Sequence, residues 1–180
     1  MKILIQQIES ITGYKVKKNF ISLGLDTAKR TGISIIKTSD KVATFDWMFI
    51  EFKDAGDTKQ IYKTMVNTFE NLFNEQNIAI IEQVFVGFNR AGSVELARYG
   101  SFAISECIKK KIPYELISAL SCRSRLGIKT TAKAGYGKGQ SKKAVADWLK
   151  NNLDISLNDE DASDAVCLAL LGILEGVKFS

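Results

Sequence analysis

Residues 20–36, FISLGLDTAKRTGISII, form the stretch that most constrains what this chain can fold into. Alternating apolar residues predict two strands, and the polar residues 27–31 between them predict the turn of a hairpin. Asp26 ends the first of these strands. Because Asp is common in turns, this position alone fits a turn former as well as a functional carboxylate. Its meaning depends on the acidic residues that follow.

Strand and helix patterns continue along the rest of the chain. Runs of β-branched, aromatic and other apolar residues predict strands at 41–52, 78–82 and 114–117. Helical spacing of apolar residues predicts helices at 58–75, 93–111, 141–151 and 161–177. Asn77 is expected to end the first of these helices, and Ser93 and Ser141 are predicted N-caps. The resulting order predicts an α/β fold, with a mixed five-stranded sheet flanked by helices on both faces.

No break in composition divides the chain, so residues 1–180 are expected to form a single domain with residues 1–19 as an N-terminal extension. Apolar residues recur at helical spacing within this extension, and Gly13 would end such a helix. The pattern fits a short helix packed on the body of the protein or on a second subunit. A frayed extension fits the same residues, and the sequence leaves both open.

The chain contains no histidine, which restricts the chemistry it can perform. Histidine-based general-base catalysis, Ser-His-Asp and Cys-His nucleophiles and histidine-ligated zinc are all excluded. Cys107, Cys122 and Cys167 are widely spaced and form no CxxC pair, which predicts buried or free thiols in a reducing compartment. No apolar run approaches the length of a membrane span. We therefore expect a cytoplasmic protein without membrane contact.

Positive charge is concentrated in one segment of the chain. Residues 116–146 contain no acidic residue and seven basic ones, which exceed the net charge of +5 of the whole chain: Arg123, Arg125, Lys129, Lys133, Lys138, Lys142 and Lys143. A Gly-, Lys- and Thr-rich segment of this kind fits a solvated surface loop. It fits a loop that grips a phosphate backbone better, so an anionic partner is predicted.

Four acidic residues stand at positions where a sheet of this order would bring them together. Asp26 and Glu82 end apolar strands, and Asp161 and Asp164 lie three residues apart in the first turn of a helix. Acidic residues in a first turn also stabilise the helix dipole, which is the structural alternative for the last two. Carboxylates that lie close together repel one another unless a cation neutralises them, and oxygen ligands select Mg²⁺ or Mn²⁺. Beside a basic segment, this set predicts two-metal phosphodiester hydrolysis.

Three blocks of the sequence, GLDTAKRTGISII, IIEQVFVGFN and DASDAVCLAL, resemble the signature blocks of the RuvC-type Holliday junction resolvases in the ribonuclease H-like superfamily. The resemblance covers residues 20 to about 175. It implies a ribonuclease H-like fold, a homodimer and paired nicking of four-way DNA junctions, with two Mg²⁺ ions per site that Mn²⁺ can replace. It assigns the metal-ligand role to Asp26, Glu82, Asp161 and Asp164, and it implies no nucleotide cofactor.

The resemblance also assigns roles to residues outside the carboxylate set. Phe85 matches an aromatic residue that stacks on an opened junction base, Lys142 matches a basic residue near the scissile phosphate, and Arg123 matches another such residue. The chain departs from many bacterial members at Thr27-Ala28, where they have Pro-Gly, and in its N-terminal extension. These features resemble phage-encoded or otherwise divergent members and leave strict junction selectivity open.

Three alternative functions were considered. The first is a less selective nuclease of the same fold, acting on branched DNA or RNA–DNA hybrids. The second is a sugar-kinase or actin-like nucleotide-binding domain, which needs a second glycine-rich phosphate loop that 180 residues leave no room for. The third is a basic DNA-binding module, which does not account for four spaced carboxylates.

Overall fold

The computed structural model describes residues 1–52, 57–84, 90–130, 135, 140–157 and 159–179, without the side chains of residues 90, 91 and 160. Six strands and six helices follow one another in these ranges. They are β1 (Lys2–Leu4), α1 (Ile5–Thr12), β2 (Ile21–Asp26), β3 (Arg30–Thr38), β4 (Val42–Glu51), α2 (Thr58–Leu72), β5 (Ile78–Glu82), α3 (Arg90–Lys110), β6 (Tyr114–Ile117), α4 (Ala119–Arg125), α5 (Ser141–Leu153) and α6 (Glu160–Ile173).

The strands form one mixed sheet in the order β1-β4-β3-β2-β5-β6. β2, β3 and β4 are antiparallel neighbours, whereas β5 runs parallel to both β2 and β6. The predicted α/β class and mixed sheet are confirmed, but the sheet has six strands rather than five. The additional strand is β1, which pairs antiparallel with β4 and which helical spacing had hidden at the sequence level.

Both faces of the sheet are covered, as predicted, because the central strands bury side chains in both directions. Leu23, Leu25 and Ile81 pack with residues of α2 and α3 in one apolar cluster. On the other face, Ile36 and Ile80 pack with residues of α1, α4, α5 and α6 in a second cluster. The sheet thus separates two cores, and α6 lies on the second face.

Helix α6 approaches β2 and β3 unusually closely because small residues meet at the contact. A Cβ atom added at Gly24 would lie 2.2 Å from the carbonyl oxygen of Ala165 and 2.4 Å from the amide nitrogen of Ala169. One added at Gly32 would lie 2.1 Å from the carbonyl oxygen of Asp161. These distances exclude any side chain, so the two glycines allow the backbone of the helix to lie directly on the backbone of the sheet.

The N-terminal extension packs on the body of the protein rather than fraying. Gly13 ends α1 in a left-handed conformation with φ of 73°, as its position predicted. Residues 15–17 then run beside the end of α6: the Lys17 amide donates to the Ile173 carbonyl at 2.8 Å, and the Glu175 amide donates to the Lys15 carbonyl at 2.8 Å. The Lys17 ammonium also donates to the Gly172 carbonyl at 2.9 Å. The extension therefore holds the C-terminal end of α6.

Several predicted helix boundaries are wrong. α2 ends at Leu72 rather than near Asn77, whose side chain instead accepts a hydrogen bond from the Ile21 amide at 2.7 Å. Ser93 lies inside α3, which begins at Arg90, and Ser141 is the first residue of α5, after the N-cap Gln140. α6 spans Glu160–Ile173 rather than 161–177, and α4 was not predicted. The one-residue shifts at Ser141 and Glu160 lie within the usual variation of assigned helix ends.

Among the described residues, no helix combines the length and the apolar character that crossing a lipid bilayer requires.

Candidate active site

The centre of the candidate site lies where the adjacent parallel strands β2 and β5 end. Leu25 pairs with Ile81, so Asp26 and Glu82 follow in register at the same edge of the sheet. The Glu82 side chain lies within hydrogen-bonding reach of the Asp26 carboxyl group. Burial, hydrogen bonding with Glu82, and the negative charges of Glu82, Asp164 and Asp161 together raise the pKa of Asp26 to about 9.

The other two predicted acidic residues come from the first turn of α6. Asp159 caps this helix, since its Oδ1 accepts from the Ala162 amide at 2.9 Å. Asp161 and Asp164 lie one turn apart on the same side, and the contact of α6 with Gly32 places this turn over the start of β3. The four predicted carboxylates are thus brought to one site, where Asp161 and Asp164 contribute to the raised pKa of Asp26.

Basic side chains contact the two α6 carboxylates. Arg123 Nη2 donates to both oxygens of Asp164, at 2.9 and 3.0 Å, and both side chains are only slightly exposed. Burial raises the pKa of Asp164, and Arg123 opposes this shift. Lys142 Nζ donates to Asp161 Oδ1 at 2.9 Å. Burial opposes the charge of Lys142, but Asp161 outweighs it through its hydrogen bond and charge, so the pKa of Lys142 is raised.

Arg30 is a site residue that the sequence reasoning missed. It forms an ion pair with Asp159, its Nε lies 3.4 Å from Asp161 Oδ2, and its guanidinium carbon lies 4.1 Å from the centre of the Phe49 ring. The signal was present in the first block, because a residue two positions before Gly32 on a strand points to the same face as that glycine. A basic residue there faces the start of α6.

The predicted DNA-binding residues fall in different environments. Arg123 is engaged with Asp164 and only 12% exposed, so it lies in the site rather than on an open surface. Arg125 has a buried Nη1 without a hydrogen-bond partner in the described part of the chain. Lys129 is exposed, and Lys143 is exposed and pairs with Asp147 at 2.6 Å. Phe85, Lys133 and Lys138 lie outside the described residues.

The cysteines are buried, as predicted, and offer no nucleophile. Burial raises the pKa of Cys107 and of Cys122 to about 12, and it raises that of Cys167 well above its usual value. Protonated thiols neither attack phosphodiesters nor ligate metals readily. The carboxylates and their basic partners therefore remain the reactive groups of this site.

The donor set fits a hard divalent cation by its chemistry. All four acidic side chains supply oxygen ligands, and their negative charge is partly balanced by Arg123, Lys142 and Arg30. Over residues 1–52, 57–84, 90–130 and the later described ranges, no three acidic or cysteine side chains form a group arranged to hold a metal ion. Arg123 and Lys142 contact Asp164 and Asp161, so metal binding at these two carboxylates would require rotation of the basic side chains.

A cleft of about 610 Å³ lies elsewhere, between α1, residues 15–18 and the turn after β3, and none of the four carboxylates lines it. A small cavity beside the site is lined by Glu82, Arg123 and Asp164 together with Cys122. The chemistry of the carboxylates, rather than cavity size, therefore locates the site.

A mixed sheet of this strand order, with helices on both faces, has the ribonuclease H-like fold. The chain belongs to the RuvC family, described as crossover junction endodeoxyribonucleases, whose pattern matches residues 22–171. The resemblance of the three sequence blocks is thereby confirmed.

Solved structures of RuvC proteins share this fold, and two of them illustrate its similarity to the chain. One is "T. thermophilus RuvC in complex with Holliday junction substrate", which is 10% identical with a TM-score of 0.67 and covers 84% of this chain and 90% of its own. The other is a Thermus thermophilus RuvC structure, which is 12% identical with a TM-score of 0.63, at 84% and 92% coverage. No curated protein matches the chain significantly.

Proposed function

We propose that this protein is a Mg²⁺-dependent endonuclease that resolves four-way DNA junctions by paired, symmetric nicks. The observation that carries the proposal is the convergence of four carboxylates at the ends of β2 and β5 and the start of α6. Family membership and a fold shared with a RuvC solved on a Holliday junction support the substrate. The segment of seven basic residues supports an anionic partner.

Asp26, Glu82, Asp161 and Asp164 would hold the metal ions. When bound, two Mg²⁺ ions supply a water activated for attack and stabilise the leaving 3′ oxygen. Asp26 would have to lose its proton to act as a ligand, so its raised pKa favours metal binding at higher pH. These residues bind and orient, and none of them needs to act as a covalent nucleophile.

Lys142 and Arg123 have different roles in the proposed site. The Lys142 side chain is 41% exposed while it contacts Asp161, so its ammonium can reach a phosphate beside the carboxylates. Arg123 is buried against Asp164, so it orients that carboxylate instead of contacting DNA over an open surface. This assignment separates two residues that the resemblance treated alike.

Paired nicks require two active sites on one junction, so we propose a homodimer as the acting form. Phe85 would stack on a base at the opened junction centre, and Lys129, Lys133, Lys138 and Lys143 would contact the backbone. Arg125, at the end of α4, would extend this basic surface. Each of these roles rests on the family resemblance and the charge of the segment.

Cleavage of labelled substrates tests the proposal directly. A mobile four-way junction, a duplex and an RNA–DNA hybrid of the same sequence are incubated with the protein, with and without Mg²⁺ or Mn²⁺. We expect paired nicks in the junction alone, and none without metal. Equal cleavage of the duplex or of the hybrid would favour the less selective nuclease. Binding without any cleavage would favour a DNA-binding module.

A further inference from the structure

Arg30 lies where the hairpin of β2 and β3 meets the first turn of α6. It begins β3 and stands two residues before Gly32, which packs directly against the backbone of Asp161. Its side chain is 46% exposed, so Arg30 is not a core residue. Both of its carboxylate contacts nevertheless lie at the start of α6, which carries two of the four carboxylates.

The guanidinium of Arg30 makes three different contacts at once. It pairs with the Asp159 carboxylate, lies 3.4 Å through Nε from Asp161 Oδ2, and stacks on the Phe49 ring at 4.1 Å. Phe49 lies on β4 directly opposite Gly32, so the ring supports the guanidinium from the sheet side. A planar fork can stack and bridge two carboxylates simultaneously, whereas a lysine ammonium can do neither in the same way.

The two carboxylate oxygens of Asp159 make different contacts, and this difference indicates how Arg30 acts. Asp159 Oδ1 caps α6 through the Ala162 amide, while Oδ2 faces Arg30. The link from β4 through Arg30 and Asp159 to α6 therefore fixes the first turn of the helix relative to the sheet. A half-exposed ion pair contributes little to overall stability, so its effect is local orientation.

Arg30 could also act as a cation that competes with metal for Asp161. The distances of Arg30 and Lys142 from Asp161 indicate that competition by Arg30 is the smaller effect. Its Nε lies 3.4 Å from Asp161 Oδ2, which is long for a hydrogen bond, whereas Lys142 lies 2.9 Å from Oδ1. Orientation of the first turn therefore outweighs competition.

We propose that Arg30 is a positioning residue that orients Asp161 for metal binding through Asp159 and Phe49. This inference rests on the proposed function, because it assumes that the α6 carboxylates ligate a divalent cation. It assigns a role to a basic residue that neither the carboxylate pattern nor the basic segment includes.

The test measures metal binding without DNA. Thermal unfolding is followed while Mg²⁺ or Mn²⁺ is titrated into the wild type and the Arg30→Ala, Arg30→Lys and Asp159→Asn variants. Asp159→Asn keeps the oxygen that caps α6 but loses the charge that faces Arg30. Lys37→Ala is the matched control, because Lys37 is an exposed cation at the other end of β3.

We expect Arg30→Ala to raise the metal concentration at half-maximal stabilisation about tenfold, as loss of an outer-shell partner does in other metal sites. Arg30→Lys should fall between Arg30→Ala and the wild type, and Lys37→Ala should not differ from the wild type. Asp159→Asn should shift the midpoint in the same direction, and the double variant should show less than the sum of the two shifts.

An unchanged midpoint in Arg30→Ala would overturn the proposal, and a lower one would show that Arg30 competes with the metal. Absence of any metal-dependent stabilisation in the wild type would overturn it too, since no ligand would then need orienting. Junction cleavage by the wild type is scored separately. An Arg30-dependent midpoint without cleavage would contradict the proposed function and leave the positioning role standing.

Discussion

The two faces of strand β2 differ in how they meet their helices. On the face toward α2 and α3, Leu23 and Leu25 fill the space with large side chains. On the face toward α6, the small residues Ser22 and Gly24 let the helix pack closely, and at Gly24 the backbone of α6 contacts the backbone of β2. The first face gains stability from buried apolar volume. The second gives up that volume and brings the start of α6 close to Asp26, so that mutually repelling carboxylates share one site.

Substitutions on the two faces should separate these roles, and they carry the largest expected effects. Leu23→Ala leaves a cavity and should cost about 2–5 kcal/mol of unfolding free energy. Cleavage by the molecules that remain folded should stay near the wild-type rate. Gly24→Ala forces α6 away from β2, because the new Cβ would lie 2.2 Å from the Ala165 carbonyl oxygen. It should destabilise by about 1–3 kcal/mol or more and also abolish cleavage.

Denaturant unfolding and single-turnover cleavage measure both effects. Retained cleavage in Gly24→Ala would show that α6 tolerates displacement, and the contrast between the two faces would then not hold.

Asp26→Asn should abolish cleavage while leaving junction binding largely intact, because metal ligation needs the charge and affinity comes from phosphate contacts elsewhere. The same variant should be more stable than the wild type at neutral pH. The amide introduced by the substitution can donate a hydrogen bond to Glu82 and does not titrate, whereas the Asp26 carboxyl group has a strongly raised pKa. We expect a gain of more than about 1 kcal/mol, equivalent to about 2–4 °C in Tm.

Cleavage assays, junction binding and thermal unfolding on the same preparation check this prediction. Cleavage near the wild-type rate would remove Asp26 from the site. A variant that is both inactive and less stable would mean that its carboxylate serves the fold on this face.

The pH dependence of stability follows from the sign of these shifts. Asp26, with a pKa of about 9, and Asp164 keep their protons in the folded protein at pH values where the unfolded chain has released them. The contribution of these two groups to the free energy of unfolding is fully present below the pKa of the unfolded chain. It is lost as the pH rises through the pKa of the folded protein. For one such group, the loss is about 1.4 kcal/mol per pH unit.

Without divalent cations, the difference in unfolding free energy between Asp26→Asn and the wild type should therefore grow from pH 5 to pH 9. Saturating Mg²⁺ should reduce the pH dependence of the wild type, because a cation replaces the proton. A difference that is constant over this range would contradict the raised pKa.

Neighbouring lysines on α5 provide the smallest and finest comparison. Lys142 contacts Asp161, whereas Lys143 pairs with Asp147 on the helix surface. Each alanine substitution should reduce the log–log salt slope of junction binding by about 0.9 if the side chain contacts a phosphate. Lys142→Ala should in addition slow cleavage at saturating enzyme about tenfold or more, because charge next to the reacting phosphate is lost. Equal cleavage rates in the two variants would place Lys142 outside the reaction centre.

Much of the sheet and the carboxylate set could be predicted from the sequence because both depend on local pattern. The hairpin of residues 20–36, the buried run before Glu82 and the i, i+3 pair on α6 each have a periodicity that survives without tertiary information. Their convergence followed from the order of strands and helices. The family blocks added the expectation of a nuclease.

The remaining features depend on contacts that no local pattern encodes. β1 was hidden because Ile3 and Leu4 also fit helical spacing, and only pairing with β4 makes them a strand. Ser93 was predicted to be the N-cap of a helix, but α3 begins before it, at Arg90. Arg30 and Arg123 were seen as charges, but their carboxylate partners lie 129 and 41 residues away in sequence.

The hydrogen bonds between residues 15–17 and the end of α6 have a consequence for movement within the molecule. α6 is held at its first turn by Arg30 and by contact with Gly32, and at its last turn by the N-terminal extension. A helix fixed at both ends cannot slide along the sheet by a turn or tilt about one end. We therefore expect any adjustment that brings the carboxylates of Asp161 and Asp164 nearer to Asp26 to come from rotation about side-chain bonds rather than from movement of the helix.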